Sequence, residues 1–391
     1  MKKTLLAAAL LAGFAGAASA QSSVTLYGVV DIGVLSQTIK TGDNDPGGNE
    51  TSNQTGMASG QQAGSRWGLK GVEDLGNGLS ANFVYESSVT ANTGASSGFT
   101  RQSTLGLASK SWGSFDLGRR TTPGTVAFSG IDPFGSGFGT AALDSSMGMV
   151  FSRNSNMLMY TSPNFNGFSG AIGYSFDFGG TTYNAPTSAT YSNTTDLIAK
   201  YGSTTKARAL GLGLRYAKGP LLIAGTYDTF IAPAWKTGNS VTQQNTDNLT
   251  QWNLGLTYDL KVVKLHGAYG QNIHGIAEGT NTLNNFNSGG DTNSEGGFLF
   301  SSGARTSSWM LGVSAPVGAS GKVFASWQQM APGGTFKDSA KTTTQNVGSI
   351  GYTYNLSKRT NLYGYYSYMS NISMLTGSQS NSLGVGVRHL F

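Results

Sequence analysis

The stretch Ser382-Leu383-Gly384-Val385-Gly386-Val387-Arg388-His389-Leu390-Phe391 decides the fold. In an extended chain Leu383, Val385, Val387 and Phe391 point one way while Gly384, Gly386 and Arg388 point the other, the period of two that lets a strand face two different surroundings. That pattern suggests a strand set in an outer membrane. A single strand of a membrane barrel is a weak signal, and an ordinary soluble edge strand reads the same way. The rest of the chain has to decide.

Lys2 and Lys3 precede the apolar run 5–18, and Ala18-Ser19-Ala20 forms the small-x-small pattern of a signal-peptidase site before Gln21. Residues 1–20 are therefore expected to be an export signal, with the working domain spanning 21–391. The apolar run is too short to cross a bilayer as a helix, which takes roughly 20 residues. Losing Lys2 and Lys3 leaves 23 Lys+Arg against 19 Asp+Glu, a formal charge of +4 in place of +6. So small an excess does not call for nucleic acid as a partner.

Composition narrows the class. With 57 glycines, 9 prolines, no cysteine and 11% charged residues, the chain is polar and turn-rich and lacks helix-forming blocks, which points to an all-β protein. An exported chain without cysteine has no disulfides to rely on, so hydrogen bonding and burial must hold it together. No linker interrupts its texture.

That texture is alternation bounded by turn signals. Residues 22–36 put Val24, Leu26, Val30, Ile32 and Val34 on one face, with Thr25, Tyr27 and Asp31 on the other. Further strands are expected at about 64–72, 79–90, 99–110, 114–121, 148–161, 167–178, 207–218, 221–231, 248–260, 263–273, 304–316, 322–331, 342–355, 360–371 and 380–391. Sixteen is an even number, suited to a closed antiparallel transmembrane β-barrel. Tight turns such as 73–78, 111–113, 219–220 and 357–359 alternate with long polar connections at 37–63, 179–206, 232–247 and 275–303. The short turns would face the periplasm and the long ones the exterior. Closure is compulsory in hydrocarbon, where each unpaired N–H or C=O costs several kcal/mol. Tyr352, Tyr354, Tyr363, Tyr365, Tyr366, Tyr368, Trp252 and Trp309 fall toward strand ends, where an interfacial aromatic girdle would sit.

Three stretches carry a resemblance: Ser22-Ser23-Val24-Thr25-Leu26-Tyr27-Gly28, then Ser65-Arg66-Trp67-Gly68-Leu69-Lys70-Gly71 with its Glu73-Asp74-Leu75-Gly76 turn, and Val387-Arg388-His389-Leu390-Phe391. Together they resemble a Gram-negative general porin, most nearly the porins of beta-proteobacteria, across the whole exported chain. The resemblance implies a sixteen-stranded barrel, usually a homotrimer in outer-membrane lipid and lipopolysaccharide, that passes ions and small hydrophilic solutes. It implies a third external loop folded inward to narrow the pore. It also implies that Phe391 is the signal read by the outer-membrane assembly machinery.

The third long connection is 122–147, containing Asp132-Pro133-Phe134-Gly135-Ser136-Gly137-Phe138-Gly139. It is less polar than the other connections, with Val126, Phe128, Ile131, Phe134, Phe138 and Leu143. In a diffusion pore the chemistry lies in the charges around the narrowest point, because low-dielectric walls extend their reach. Arg66 and Lys70 share the face opposite Trp67 and Leu69, hence the lumen. Arg120 and Arg153 are further basic candidates. Arg101 belongs to the basic wall by resemblance, yet it lies in phase with Leu105 and Leu107, as Arg119 does with Phe115 and Leu117; a bulge or a rim position would explain either. The acidic candidates are Asp31 and Glu86 on the wall and Asp132 and Asp144 in the loop. Basic groups outnumber them, so a weak to moderate anion preference is expected.

Other chemistry is sparse. Asp43-Asn44-Asp45-Pro46-Gly47 with Glu50 reads as a solvated turn before it reads as a calcium loop. No metal or cofactor is expected. A substrate-selective channel is the alternative function, and a barrel hydrolase built on His266 or His274 is a remoter one, since neither histidine has a nucleophile motif beside it.

Overall fold

The computed structural model describes residues 23–42, 50–148, 152–177, 208–231, 236–237, 240–241, 247–277, 298–337 and 342–391. The expected export signal, the oxygen-rich turn at 43–47 and most of the long polar connections lie outside the described residues.

Strands dominate. In chain order they are β1 Ser23–Lys40, β2 Thr51–Ser59, β3 Arg66–Gly76, β4 Leu79–Thr90, the short β5 Ala95–Ser96, β6 Gln102–Ser109, β7 Gly113–Thr121, β8 Arg153–Thr161 and β9 Phe168–Ser175. They continue as β10 Arg208–Lys218, β11 Leu221–Ile231, the separate pair β12 Lys236–Thr237 and β13 Ser240–Val241, β14 Leu249–Asp259, β15 Lys264–Ala277, β16 Phe298–Val317, β17 Gly321–Gly334, β18 Gln345–Asn355, β19 Thr360–Ser370 and β20 Gln379–Leu390. Neighbouring strands pair antiparallel, and β20 returns to β1 over twelve residue pairs from Val29↔Leu390 to Lys40↔Gln379. The sheet closes on itself, and among the described residues no edge is left for lipid to meet.

The other edge of β1 pairs with two strands. Ser23–Val29 lie against β3 and Ile32–Lys40 against β2, so β2 and β3 are halves of one stave interrupted at 60–65. With these halves joined, and β5, β12 and β13 set aside, the described residues form sixteen staves.

The two faces differ as the alternation requires. Val24, Leu26, Val30 and Val34 of β1 are exposed, while Asp31, Leu35 and Gln37 are buried. The same holds around the barrel, with Leu105 at 62% and Leu311 at 64% exposure beside fully covered Thr306 and Ser382. Apolar exposure on this scale is out of place in water and suits lipid.

Two expectations need correction. The connection 37–63 is far shorter than its polarity implied, because β1 runs on to Lys40 and Thr51–Ser59 pairs with it. Beyond the lipid band both faces of a strand can meet water, so a strand there carries no alternation, and β2 is mostly exposed. Tyr363 and Tyr365 do not belong to the girdle: both are inner-face residues, 5% and 3% exposed, whereas Tyr352, Tyr354 and Tyr366 are exposed outside. Strand β19 carries tyrosine in both phases, and only its neighbours tell which side is which.

Candidate functional site

Residues 122–148 enter from β7 and open with helix α1, Pro123–Phe128. Thr122 caps it by accepting from Thr125 N at 3.3 Å, and Pro123 stands where a missing N–H costs nothing. Inner-face glycines receive it. A Cβ at Gly213 would lie 2.3 Å from the Pro123 carbonyl oxygen, and Cβ atoms at Gly173 and Gly211 would lie 3.1 Å from the Pro123 ring. At the far end of α1 the Arg215 guanidinium donates to the carbonyls of Ala127, at 3.3 Å, and Ser129, at 2.5 Å.

Beyond α1 the segment packs on inner-face residues of strand after strand. Ile131 lies against Gly255 and Pro133 against Gly312. Phe128, Ile131, Leu143 and Met147 are fully buried with Leu222, Ala224, Ala268 and Met310. Each such side chain contributes about 1.5–3 kcal/mol. The tip is aromatic: Phe134 meets Phe324 at 4.8 Å between ring centroids, and Phe138 meets Phe324, Tyr363 and Tyr365 at 5.3, 5.6 and 5.3 Å. Buried amides pin the return leg. Gln328 Nε2 donates to Ala141 O at 2.8 Å while its Oε1 accepts from Ser146 Oγ at 2.7 Å, and Gln345 Nε2 donates to Ser145 O at 2.8 Å.

Part of the charge on this inner surface is paired and covered. Glu86 Oε1 accepts from Arg101 Nε at 2.8 Å, and its Oε2 accepts from Tyr27 Oη at 3.0 Å and lies 3.5 Å from Arg66 Nε. Arg120 pairs with Asp116, which also accepts from Asn82 Nδ2 at 3.1 Å. Lys70 is exposed on the inner face, its ammonium 5.3 Å from the centre of the Tyr27 ring.

The Gram-negative porin family matches residues 7–372. The chain belongs to that family. An outer membrane porin protein of Bordetella pertussis is 41% identical to it over the full length of both chains, and outer membrane porin protein 32 of Delftia acidovorans is 31% identical, again over both full lengths. Among solved structures, the anion-selective porin from Comamonas acidovorans is 26% identical with a TM-score of 0.67, covering 95% of this chain and all of that one. The protein is thus an outer-membrane general porin of a Gram-negative bacterium, and its family is not enzymatic. No helix among the described residues is long and apolar enough to span a membrane, and the porin crosses with strands.

Several predicted site residues stand differently from expectation. The four carboxylates are all enclosed, with Asp31 at 0%, Glu86 and Asp144 at 4% and Asp132 at 5% exposure, so none presents an open negative charge to the lumen. Asp132 staples its own loop: Oδ1 accepts from Phe134 N at 2.9 Å, and Oδ2 from Ser136 N and Leu143 N, both at 3.0 Å. Burial pushes its carboxyl above the ordinary carboxylate range, against the pull of these donors. Arg101 is inside despite its phase, because it sits in a bend just before β6 and turns onto Glu86. Arg119 keeps the outward phase of Leu117 and bonds Thr100 O and Ser155 Oγ. Arg153 is not an open pore charge. A bulge at Asn156, φ 50°, brings Asn154 opposite Arg120, and the Arg153 Nε and Nη1 atoms are buried.

His266 is taken up structurally, Nδ1 bonding Ile131 O at 2.8 Å and Nε2 bonding Ser314 Oγ at 3.1 Å, so a main-chain carbonyl stands where a triad would need an acid. His274 lies 3.4 Å from Asp247. Residues the sequence reading missed are Arg215, Gln328 and Gln345, which grip the segment, and Asp116. The legible signal was the set of inner-phase glycines on adjacent staves, which leaves room for something to lie on the wall. Gly213→Ala should push α1 off its seat, because the new Cβ meets main-chain atoms that cannot swing aside. Overpacking of this kind costs about 1–3 kcal/mol. A lowered thermal midpoint with an altered single-channel conductance is the expected result; an unchanged conductance would show that the seat does not position the segment.

Proposed function

We propose that this porin passes ions and small hydrophilic solutes by passive diffusion, that segment 122–147 folds inward as its constriction, and that it has a weak to moderate preference for anions. The observation that carries the preference is an asymmetry of exposure. The carboxylates at and around the segment, Asp31, Glu86, Asp116, Asp132, Asp144 and Asp228, are each at most 5% exposed, whereas Asp74 and Asp259, the latter opposite Lys264, are exposed near the short turns. Lys70 and Lys322 are exposed, and Arg66, Arg120, Arg215, Lys264 and Arg388 are partly so. A permeating ion therefore meets mostly cationic groups, and weakly screened charges in a narrow pore select by sign. The likeness to a porin described as anion-selective supports the same reading.

The working form is a homotrimer embedded in outer-membrane lipid and lipopolysaccharide, with residues 1–20 removed during export. In a planar bilayer with a KCl gradient the reversal potential should shift toward the chloride equilibrium value; a shift toward that of potassium would reject the preference. The same preparation should run as a heat-labile trimer and begin near Gln21.

A further inference from the structure

Asp31 is fully enclosed on the inner face of β1, and three of its four polar groups, Oδ2 and the main-chain N–H and carbonyl, converge on the interruption at 60–65 between β2 and β3. Its Oδ2 accepts from Gln62 N at 2.8 Å and Ala63 N at 2.7 Å. Its main-chain N–H donates to Ser65 Oγ at 3.0 Å, and its carbonyl accepts from Ser65 Oγ at 2.9 Å and Gly60 N at 2.8 Å. Tyr363 Oη donates to Oδ1 at 2.5 Å. A stave that leaves its ladder must find other partners for its main chain, and here one residue supplies them at Gly60, Gln62 and Ala63 and holds the end of the excursion by the Ser65 hydroxyl.

The excursion in turn holds the tip of the inserted segment. Phe138 N donates to the Gln61 carbonyl, and Gly137 lies so close that a Cβ there would stand 1.9 Å from the Gln62 carbonyl oxygen. On its other side, Gln62 Oε1 accepts from Asn361 Nδ2 at 2.7 Å, and Asn361 Oδ1 accepts from Arg388 Nε at 3.1 Å. Arg388 is the residue of β20 directly opposite Asp31 across the seam. The first two staves and the last two thus meet the tip of the segment in one polar network, buried at Asp31 and Asn361 and partly open to the lumen at Arg388.

We infer that residues 60–65 are a clamp that fixes the tip of the segment at Gly137 and Phe138, and that Asp31 is the positioning residue that folds the clamp. The inference rests on reading 122–147 as the constriction. It goes further in stating that the aperture is set from the opposite wall, at the seam, as well as by the packing of the segment itself. Because the network includes β1 and β20, the clamp is completed only when the barrel closes.

Asp31→Ala removes the acceptors for Gln62 N and Ala63 N. Asp31→Asn can offer one oxygen to both donors and turn its amide to the Tyr363 hydroxyl, so it should restore what alanine loses. Gly137→Ala drives tip and clamp apart without touching Asp31, and serves if the alanine variant does not fold. In bilayers, Asp31→Ala and Gly137→Ala should show an upward shift in single-channel conductance with step-like fluctuations, and Asp31→Asn should show the wild-type trace. Heat-modifiable mobility on gels confirms folding. A barrel shortened by deletion of 134–138 separates the two readings. If it conducts like wild type, the constriction reading fails; if it conducts more while Asp31→Ala and Gly137→Ala, or Gly137→Ala alone where only it folds, stay at the wild-type value, the clamp alone is overturned.

Discussion

Deleting Phe391 should remove most of the folded porin from the outer-membrane fraction, while the barrels that do assemble keep wild-type conductance. In the folded chain the residue closes the seam: its N–H donates to Gly28 O and its carbonyl accepts from Gly28 N, both at 3.1 Å. Its ring lies over Gly28 on the outer face, where a Cβ would come within 2.2 Å of the ring. Those contacts are modest. Two hydrogen bonds at about 0.5–1.5 kcal/mol each and one half-exposed ring do not decide the fate of a closed sixteen-stave ladder. A large loss of inserted protein would therefore reflect recognition during assembly. Gly28→Leu tests this, since it displaces the ring but leaves the terminal aromatic in the chain. If Gly28→Leu lowers insertion as much as the deletion does, packing at the seam is the cause and the assembly signal is rejected. Conductance is expected to be spared because Phe391 is on the lipid side, away from the inner charges.

Much of this barrel was legible because lipid imposes a rule that survives in the residues. A strand between hydrocarbon and water must alternate, so β1, β9 and β20 could be read with their faces and turns, and the pairing of β1 with β20 followed from closure. Legibility stopped where the rule stops applying. Strand β2 projects into water on both sides, so Thr51–Ser59 reads as a loop. Bulges reset the phase without a fixed residue signature, and Asn156 does so silently between Asn154 and Met157.

The candidate site was legible as a place and not as a set of roles. Its position as the third long connection and its apolar content marked 122–147. What could not be read was where each lone pair goes. A carboxylate in a water-filled lumen and one that staples three main-chain N–H groups have the same letter, which is why Asp31 and Asp132 read as pore charges. Gln328 and Gln345 pose the mirror problem: an inner-phase amide is expected in any aqueous lumen, and only the opposing carbonyls of Ala141 and Ser145 show that it binds protein instead.

Glu86→Gln should both destabilise the barrel and strengthen its anion preference. Glu86 is shared: Arg101 binds one carboxylate oxygen, with Tyr27 and Arg66 at the other, and the Glu86 and Arg101 side chains are 6% and 5% exposed. An amide keeps the shape but loses the charge, and its NH2 must face either a guanidinium or a hydroxyl that now donates. Removing one partner of a buried ion pair costs about 3–5 kcal/mol, because the remaining charge stays uncompensated. The Arg101 contact supplies most of that cost; Arg66, at 26% side-chain exposure, recovers part of its hydration from the lumen. The same loss uncovers positive charge beside the path, so the reversal potential in a KCl gradient should move further toward chloride while the thermal midpoint of the heat-modifiable form falls. Glu86→Asp, which keeps the charge at a shorter reach, should recover selectivity more than stability. An unchanged midpoint would mean that water already screens the cluster, and an unchanged reversal potential would mean that Arg66 and Arg101 do not face the permeating ions.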